Sequence, residues 1–236
     1  MALPLRDNVP TRTFPVVTVA LIVVNVIVFI WEWTGTPLEL DVIRYGCYPC
    51  EVDGPCVGVA RQNDLPFVAS LFTSMFMHGG LLHIGGNLLF LWIFGNNIED
   101  ALGRVRYLLW YLAAGIAATA AQTLVTLWFG NAQDASIPNI GASGAIAGVL
   151  GAYLVLLPRA SVLTAFFLGF FFFLQEIPAM FYLGLWFLFQ LWQGGFSILE
   201  PEAGGGVAFF AHVGGFVFGL ATVRLVTQRR PLQPRY

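Results

Sequence analysis

Several stretches of about 18 or more residues in this chain carry almost no charge. Each is long enough to cross a hydrocarbon core of roughly 30 Å as a helix rising about 1.5 Å per residue. Charged residues make up 10% of the 236, against roughly a quarter in soluble domains. The sequence therefore predicts an all-α membrane protein with one helical domain. The net charge of −2 says little about partners, but its distribution says more. There is no lysine, and the eleven arginines form no basic cluster interleaved with aromatic residues. Nucleic acid is thus not an expected partner. The first apolar segment has no small-residue cleavage site after a short apolar core, so it is expected to stay as an anchor.

Residues 1–15, punctuated by Pro4, Pro10 and Pro15, read as a short polar tail. The membrane domain is expected over residues 16–227, with a basic tail over 228–236. Six spans are predicted: 16–33, 82–98, 107–129, 143–157, 178–192 and 207–226, the last after Gly204, Gly205 and Gly206. Asn25, in the middle of the first span, suits a hydrogen bond to another helix. Residues 34–66 form a long connection holding Cys47, Cys50 and Cys56. A zinc site lacks an obvious fourth ligand, so one disulfide with one free thiol is expected, on a non-cytosolic face. Residues 67–77 are predicted to dip into the membrane as a short helix. Gln175, Glu176 and Pro178 interrupt the run from 161 to 192, so 162–174 reads as an aromatic interfacial segment.

Arginine counting sets the orientation. With the N-terminus inside, the inner segments hold Arg6, Arg12, Arg104, Arg106, Arg159, Arg224, Arg229, Arg230 and Arg235, and the outer ones only Arg44 and Arg61. The second, fourth and sixth spans then start at the outer face. His83, Ser143 and His212 lie near those three starts and should share one depth. The fifteen residues from Ser143 to Leu157 reach only about 22 Å, short of roughly 30 Å. With Arg159 at the inner surface, Ser143 is sunk into the bilayer. Irregular backbone there has to line a watery cavity or be buried in protein.

Ser143 alone has a plain reading, since small residues are common at packed membrane interfaces. His212 is a stronger signal, because ionisable residues within spans are expensive and functional by default. Gly215 and Gly219 share its face, and Gly144 and Gly148 lie on the fourth span, where Gly151 follows. Two glycine faces let backbones approach closely, as serine oxygen and imidazole must for proton transfer at about 3 Å. Their plainer reading, helix packing, is compatible with this. His83 and Asn87 are four apart and point the same way; two convergent donors suit an anion formed in a transition state. Standing alone, they would read as a pair stabilising a helix end. His78 falls on a different helical face from His83 and reads as structural.

His83-x-x-x-Asn87, Gly141-x-Ser143-Gly144 and Ala211-His212-x-x-Gly215-x-x-x-Gly219 resemble, in order and by span, the signatures of rhomboid intramembrane serine proteases. The resemblance covers about residues 16–226. It implies a six-transmembrane-helix rhomboid-like bundle, a Ser143–His212 dyad without an acidic third member, and an oxyanion hole of the Ser143 N–H, His83 and Asn87. It implies a serine-type endopeptidase that needs no cofactor or metal and cleaves transmembrane protein substrates within the lipid bilayer. A multi-pass place in a bacterial inner membrane follows from it, with both termini cytoplasmic. Two departures stand out. Some relatives carry an aromatic residue four after the serine, against the histidine, where this chain has Ala147. Some carry a Trp-Arg motif in the first external loop, which is missing before Phe76. A catalytically inactive rhomboid-like protein that binds membrane helices is the alternative; it should lack the serine or the histidine. A metalloprotease would need His-Glu-x-x-His, which is absent, and a transporter an internal repeat.

Overall fold

The computed structural model of the chain describes residues 2–35, 38–58, 60, 65–169, 171–199 and 207–234. The glycine triplet at 204–206, and Arg61 and Arg235, lie outside the described residues. The chain opens with strand β1 (Ala2–Asp7), then helices α1 (Val16–Thr34), α2 (Leu38–Tyr45) and α3 (Phe67–Thr73). Next come α4 (Leu81–Phe90), α5 (Asn96–Leu102), α6 (Arg104–Phe129), α7 (Ala132–Ala135) and α8 (Ser143–Leu156). A hairpin of β2 (Ser161–Leu168) and β3 (Phe171–Pro178) leads into α9 (Ala179–Leu199) and α10 (Phe209–Val226). A π-helical turn, Leu91–Gly95, joins α4 to α5 without a break.

Among the described residues, four helical stretches are long and apolar enough to cross a membrane: α1, α4 with α5, α6 and α10. Their outward faces stay apolar, as at Ile27, Leu109 and Leu225, which is 83% exposed. In water such a surface would be unfavourable; in lipid it is the expected one. The core is built where α4–α5, α6, α8 and α10 meet, around Leu91, Phe94, Ile98, Tyr107, Tyr153 and Phe216.

The expectation of an all-α chain is corrected by a three-stranded antiparallel sheet in the order β1-β2-β3. The aromatic segment at 162–174 is part of a hairpin. Its residues are rich in β-branched and aromatic side chains, which favour strands. Leu168 pairs with Phe171, and Gly169, at φ +60, supplies the left-handed turn that other residues resist. Residues 2–7, expected as part of a tail, pair with β2. Pro4 is tolerated because β1 is an edge strand and its register shifts between Pro4 and Arg6.

Asp7, at the end of β1, locks this sheet to the helices. Its Oδ2 accepts from Asn97 Nδ2 at 2.6 Å and from the Tyr153 hydroxyl at 2.5 Å. Glu99 performs a similar task for α1, accepting from the backbone N–H of Val17 and Thr18 and from the Thr18 hydroxyl. A carboxylate over free N–H groups satisfies orphan donors and complements the helix dipole. The Arg12–Asp100 ion pair at 2.7 Å closes the same end. Asn25 does not bridge helices. It is buried, and its amide donates to Leu21 O one turn back at 2.7 Å.

Cys50 and Cys56 form a disulfide, and Cys47 is a buried free thiol. Burial pushes the Cys47 thiol up to about 11, which keeps it protonated and inert. The backbone of Cys47 pairs with Asn139 in both directions, which ties the first loop to the segment preceding Ser143.

Candidate active site

Ser143 is the first residue of α8. The irregular backbone before it is held by protein rather than lipid: Asn139 by Cys47, and Gly141 N–H by Ser74 O at 2.8 Å. Gly141 sits at φ +114, and a Cβ there would lie 2.7 Å from His83 Nε2 and 3.7 Å from Ser143 Oγ. Only glycine fits this conformation and this crowding. His83 and Ser143 thus share the corner that Gly141 leaves open.

His212 is carried on the first turn of α10. Gln122, on α6, caps that turn: its Oε1 accepts from the N–H groups of Phe210 and Ala211 at 3.0 and 3.2 Å. The glycine faces of α8 and α10 meet backbone to backbone. A Cβ at Gly215 would strike the Gly144 carbonyl oxygen, and one at Gly219 that of Gly148. This approach brings His212 Nε2 to 2.8 Å from Ser143 Oγ.

Ser143, His212, His83 and Asn87 line one cavity of about 620 Å³ with Trp186. Asn87 is 7% exposed, and its Nδ2 is a buried donor with no partner among the described residues. A donor left unpaired beside a cavity is free to bind an acceptor that enters it. His83 Nδ1 faces the Gly79 N–H at 3.4 Å, which leaves Nε2 toward Gly141 and the cavity. The free N–H groups opening α8 add donors at the same place.

Two residues escaped the sequence reading. Gln190, on α9, meets the other ring nitrogen of His212, with Oε1 2.7 Å from Nδ1. Trp186, one turn earlier, stands 5.8 Å from the imidazole, ring centre to ring centre. Ala147 is fully buried, so the aromatic neighbour of His212 comes from α9 rather than from α8. The signal in the sequence was a glutamine four residues after a tryptophan inside an apolar run. His78 is also placed differently from its helical-wheel position. It precedes α4, and the turn at Gly79 and Gly80 folds its ring edge-on to His83, 5.0 Å between centres. Its backbone N–H donates to the Glu32 carboxylate.

Membrane-length helices that bring a half-buried serine and histidine into contact define a multi-pass membrane protein. The chain belongs to the Rhomboid family: the Rhomboid domain is matched over residues 67–229. It is similar to Rhomboid protein 1, mitochondrial, of Saccharomyces cerevisiae, 31% identical over 158 residues, 64% of this chain and 40% of the yeast protein. Rhomboid protease GluP of Bacillus subtilis is 40% identical over 84 residues, 36% of this chain and 15% of GluP. Putative rhomboid protease YdcA of the same organism is 31% identical over 143 residues, 61% of this chain and 63% of YdcA. The chain thus spans less than two thirds of the length of each of these relatives.

Proposed function

We propose that this protein is an intramembrane serine endopeptidase that cleaves the transmembrane segments of other membrane proteins. The observation that carries the reading is the 2.8 Å contact between Ser143 Oγ and His212 Nε2, made across two glycine faces inside a cavity. In this reading α8 and α9 join the four long helices as spans of a six-helix bundle. At 14 residues, α8 reaches about 21 Å, which sinks Ser143 below one membrane surface.

His212 Nε2 takes the Ser143 hydroxyl proton as Oγ attacks the substrate carbonyl carbon. Negative charge gathers on the carbonyl oxygen, which the Ser143 N–H, Asn87 Nδ2 and His83 stabilise more strongly than the ground state. His212 then delivers the proton to the leaving amine as the C–N bond breaks. Water, deprotonated by His212, attacks the acyl ester and releases the new carboxylate and Ser143. A substrate helix has to unwind locally to offer its carbonyl, so small or helix-breaking residues beside the cut are expected.

The Ser143→Ala variant tests this. Purified in detergent or reconstituted in liposomes, it should cleave a model single-span substrate at least about 10³-fold more slowly than the wild type. A fluorophosphonate probe should label the wild type and not the variant. Equal cleavage by both, or a wild type that neither labels nor cleaves, refutes the assignment; the second result points to the inactive, helix-binding alternative.

A further inference from the structure

The geometry points to Gln190 as the positioning residue of His212: a neutral amide that fixes the imidazole tautomer from α9. A neutral imidazole carries one proton, on either Nδ1 or Nε2. Only with the proton on Nδ1 is Nε2 free to accept from Ser143. Gln190 Oε1, 2.7 Å from Nδ1, is an acceptor with no proton to give. It therefore selects the Nδ1–H tautomer and orients the ring, as a carboxylate does in an acid-containing triad. The reversed amide would present N–H to Nδ1, force the proton onto Nε2 and leave no base facing the serine.

The choice of an amide follows from location. Gln190 is 6% exposed. An ionised carboxylate at that burial would carry a large desolvation penalty. Trp186 and Gln190 are four apart on one face of α9, so one helix supplies both the wall against the imidazole and the acceptor at its edge. Trp186 also lies 6.0 Å from Phe216, and Phe187 stacks on Phe216 at 4.5 Å. These contacts fix α9 against α10 at the turn after His212.

The kinetic consequence rests on the protease reading; the tautomer does not, and the test separates them. The full chain, labelled with ¹⁵N-histidine in micelles, has only three histidines, and His212→Ala assigns the signal of interest. The wild type should show a hydrogen-bonded Nδ1–H resonance for His212. Gln190→Met, similar in shape and without a strong acceptor, should lose it, at an unchanged unfolding midpoint. Its kcat should fall roughly 10- to 100-fold with KM within about twofold, since a mis-set tautomer impairs proton transfer rather than binding. Gln190→Glu, which still offers Nδ1 an acceptor oxygen, should restore the resonance and recover kcat to within about fivefold of the wild type, at an unfolding midpoint lowered by the buried carboxyl. An Nδ1–H resonance unchanged in both variants overturns the proposal, whatever the rates do. A wild type that shows the resonance, loses it in Gln190→Met and cleaves nothing leaves the positioning intact and removes the protease reading.

Discussion

Asp7 carries an ionisable group into a place where burial opposes its charge. Desolvation lifts its carboxyl from an ordinary 3.8 to about 6, against the lowering effect of the hydrogen bond from Tyr153. A carboxyl raised in the folded state holds its proton there more tightly than in the unfolded chain. Its contribution to stability is therefore complete below about pH 4 and is lost as pH rises through 6, by at most about 3 kcal/mol. Asp7→Asn keeps an acceptor for Asn97 and Tyr153 and cannot ionise. Its unfolding midpoint relative to the wild type should rise between pH 4.5 and pH 7; a difference that does not change over that range sinks the assignment. At this scale the sequence was legible where polar residues interrupt apolar runs. Ser143, His83, Asn87 and His212 stand out for that reason, and the structure gathers them around one cavity. Gln190 interrupts a run as well, but its meaning depends on which side of α9 faces α10, and one-dimensional spacing does not hold that. His78 does not follow helical spacing to His83, because α4 begins only after Gly79 and Gly80.

Elements bring these residues into reach, and the α8–α10 contact is the closest of them. Gly148 and Gly219 leave no room for a methyl group: a Cβ at Gly219 would strike the Gly148 carbonyl oxygen and lie 2.9 Å from the Ala152 N–H nitrogen. Backbone cannot step aside as a flexible side chain can. Gly219→Ala should part the two helices, cost roughly 1–3 kcal/mol or more, and lower the unfolding midpoint and, on the proposed protease reading, the cleavage rate with it. Gly85, on the exposed face of α4 with open space around it, is the control. Gly85→Ala should keep or raise the midpoint, since alanine is the better helix former by up to about 1 kcal/mol. Equal losses in both variants would mean that glycine content, and not the α8–α10 approach, sets the stability. The long helices were legible because a 3.6-residue element in lipid needs only length and apolarity. The β2–β3 hairpin was not. Its phenylalanines, four of them cross-paired as Phe166 with Phe173 and Phe167 with Phe172, populate both faces, so no alternation betrays a strand. Gly169 was its one turn signal.

The molecule as a whole has two unlike ends. At one, α8 begins with Ser143, α10 begins beside His212, and the Cys50–Cys56 disulfide lies in the same loop system. At the other, α8 leads through a tight turn into the sheet, and the two tails meet. Arg12 pairs with Asp100 and donates to Arg230 O, and Gln228 N–H donates to Ala101 O. Both described tails and most of the arginines therefore lie at the end away from the serine. The positive-inside bias would put that end in the cytoplasm, and a persistent disulfide would put the serine end on an oxidising side. The two arguments use different residues and can be tested apart. In a bacterial host, green fluorescent protein fused after Tyr236 should fluoresce, and alkaline phosphatase fused there should be inactive. Alkylation of the unreduced protein, read by mass, should modify neither Cys50 nor Cys56. An active phosphatase together with alkylated Cys50 and Cys56 would turn the protein over, so that the cavity at Ser143 opened toward the cytoplasm.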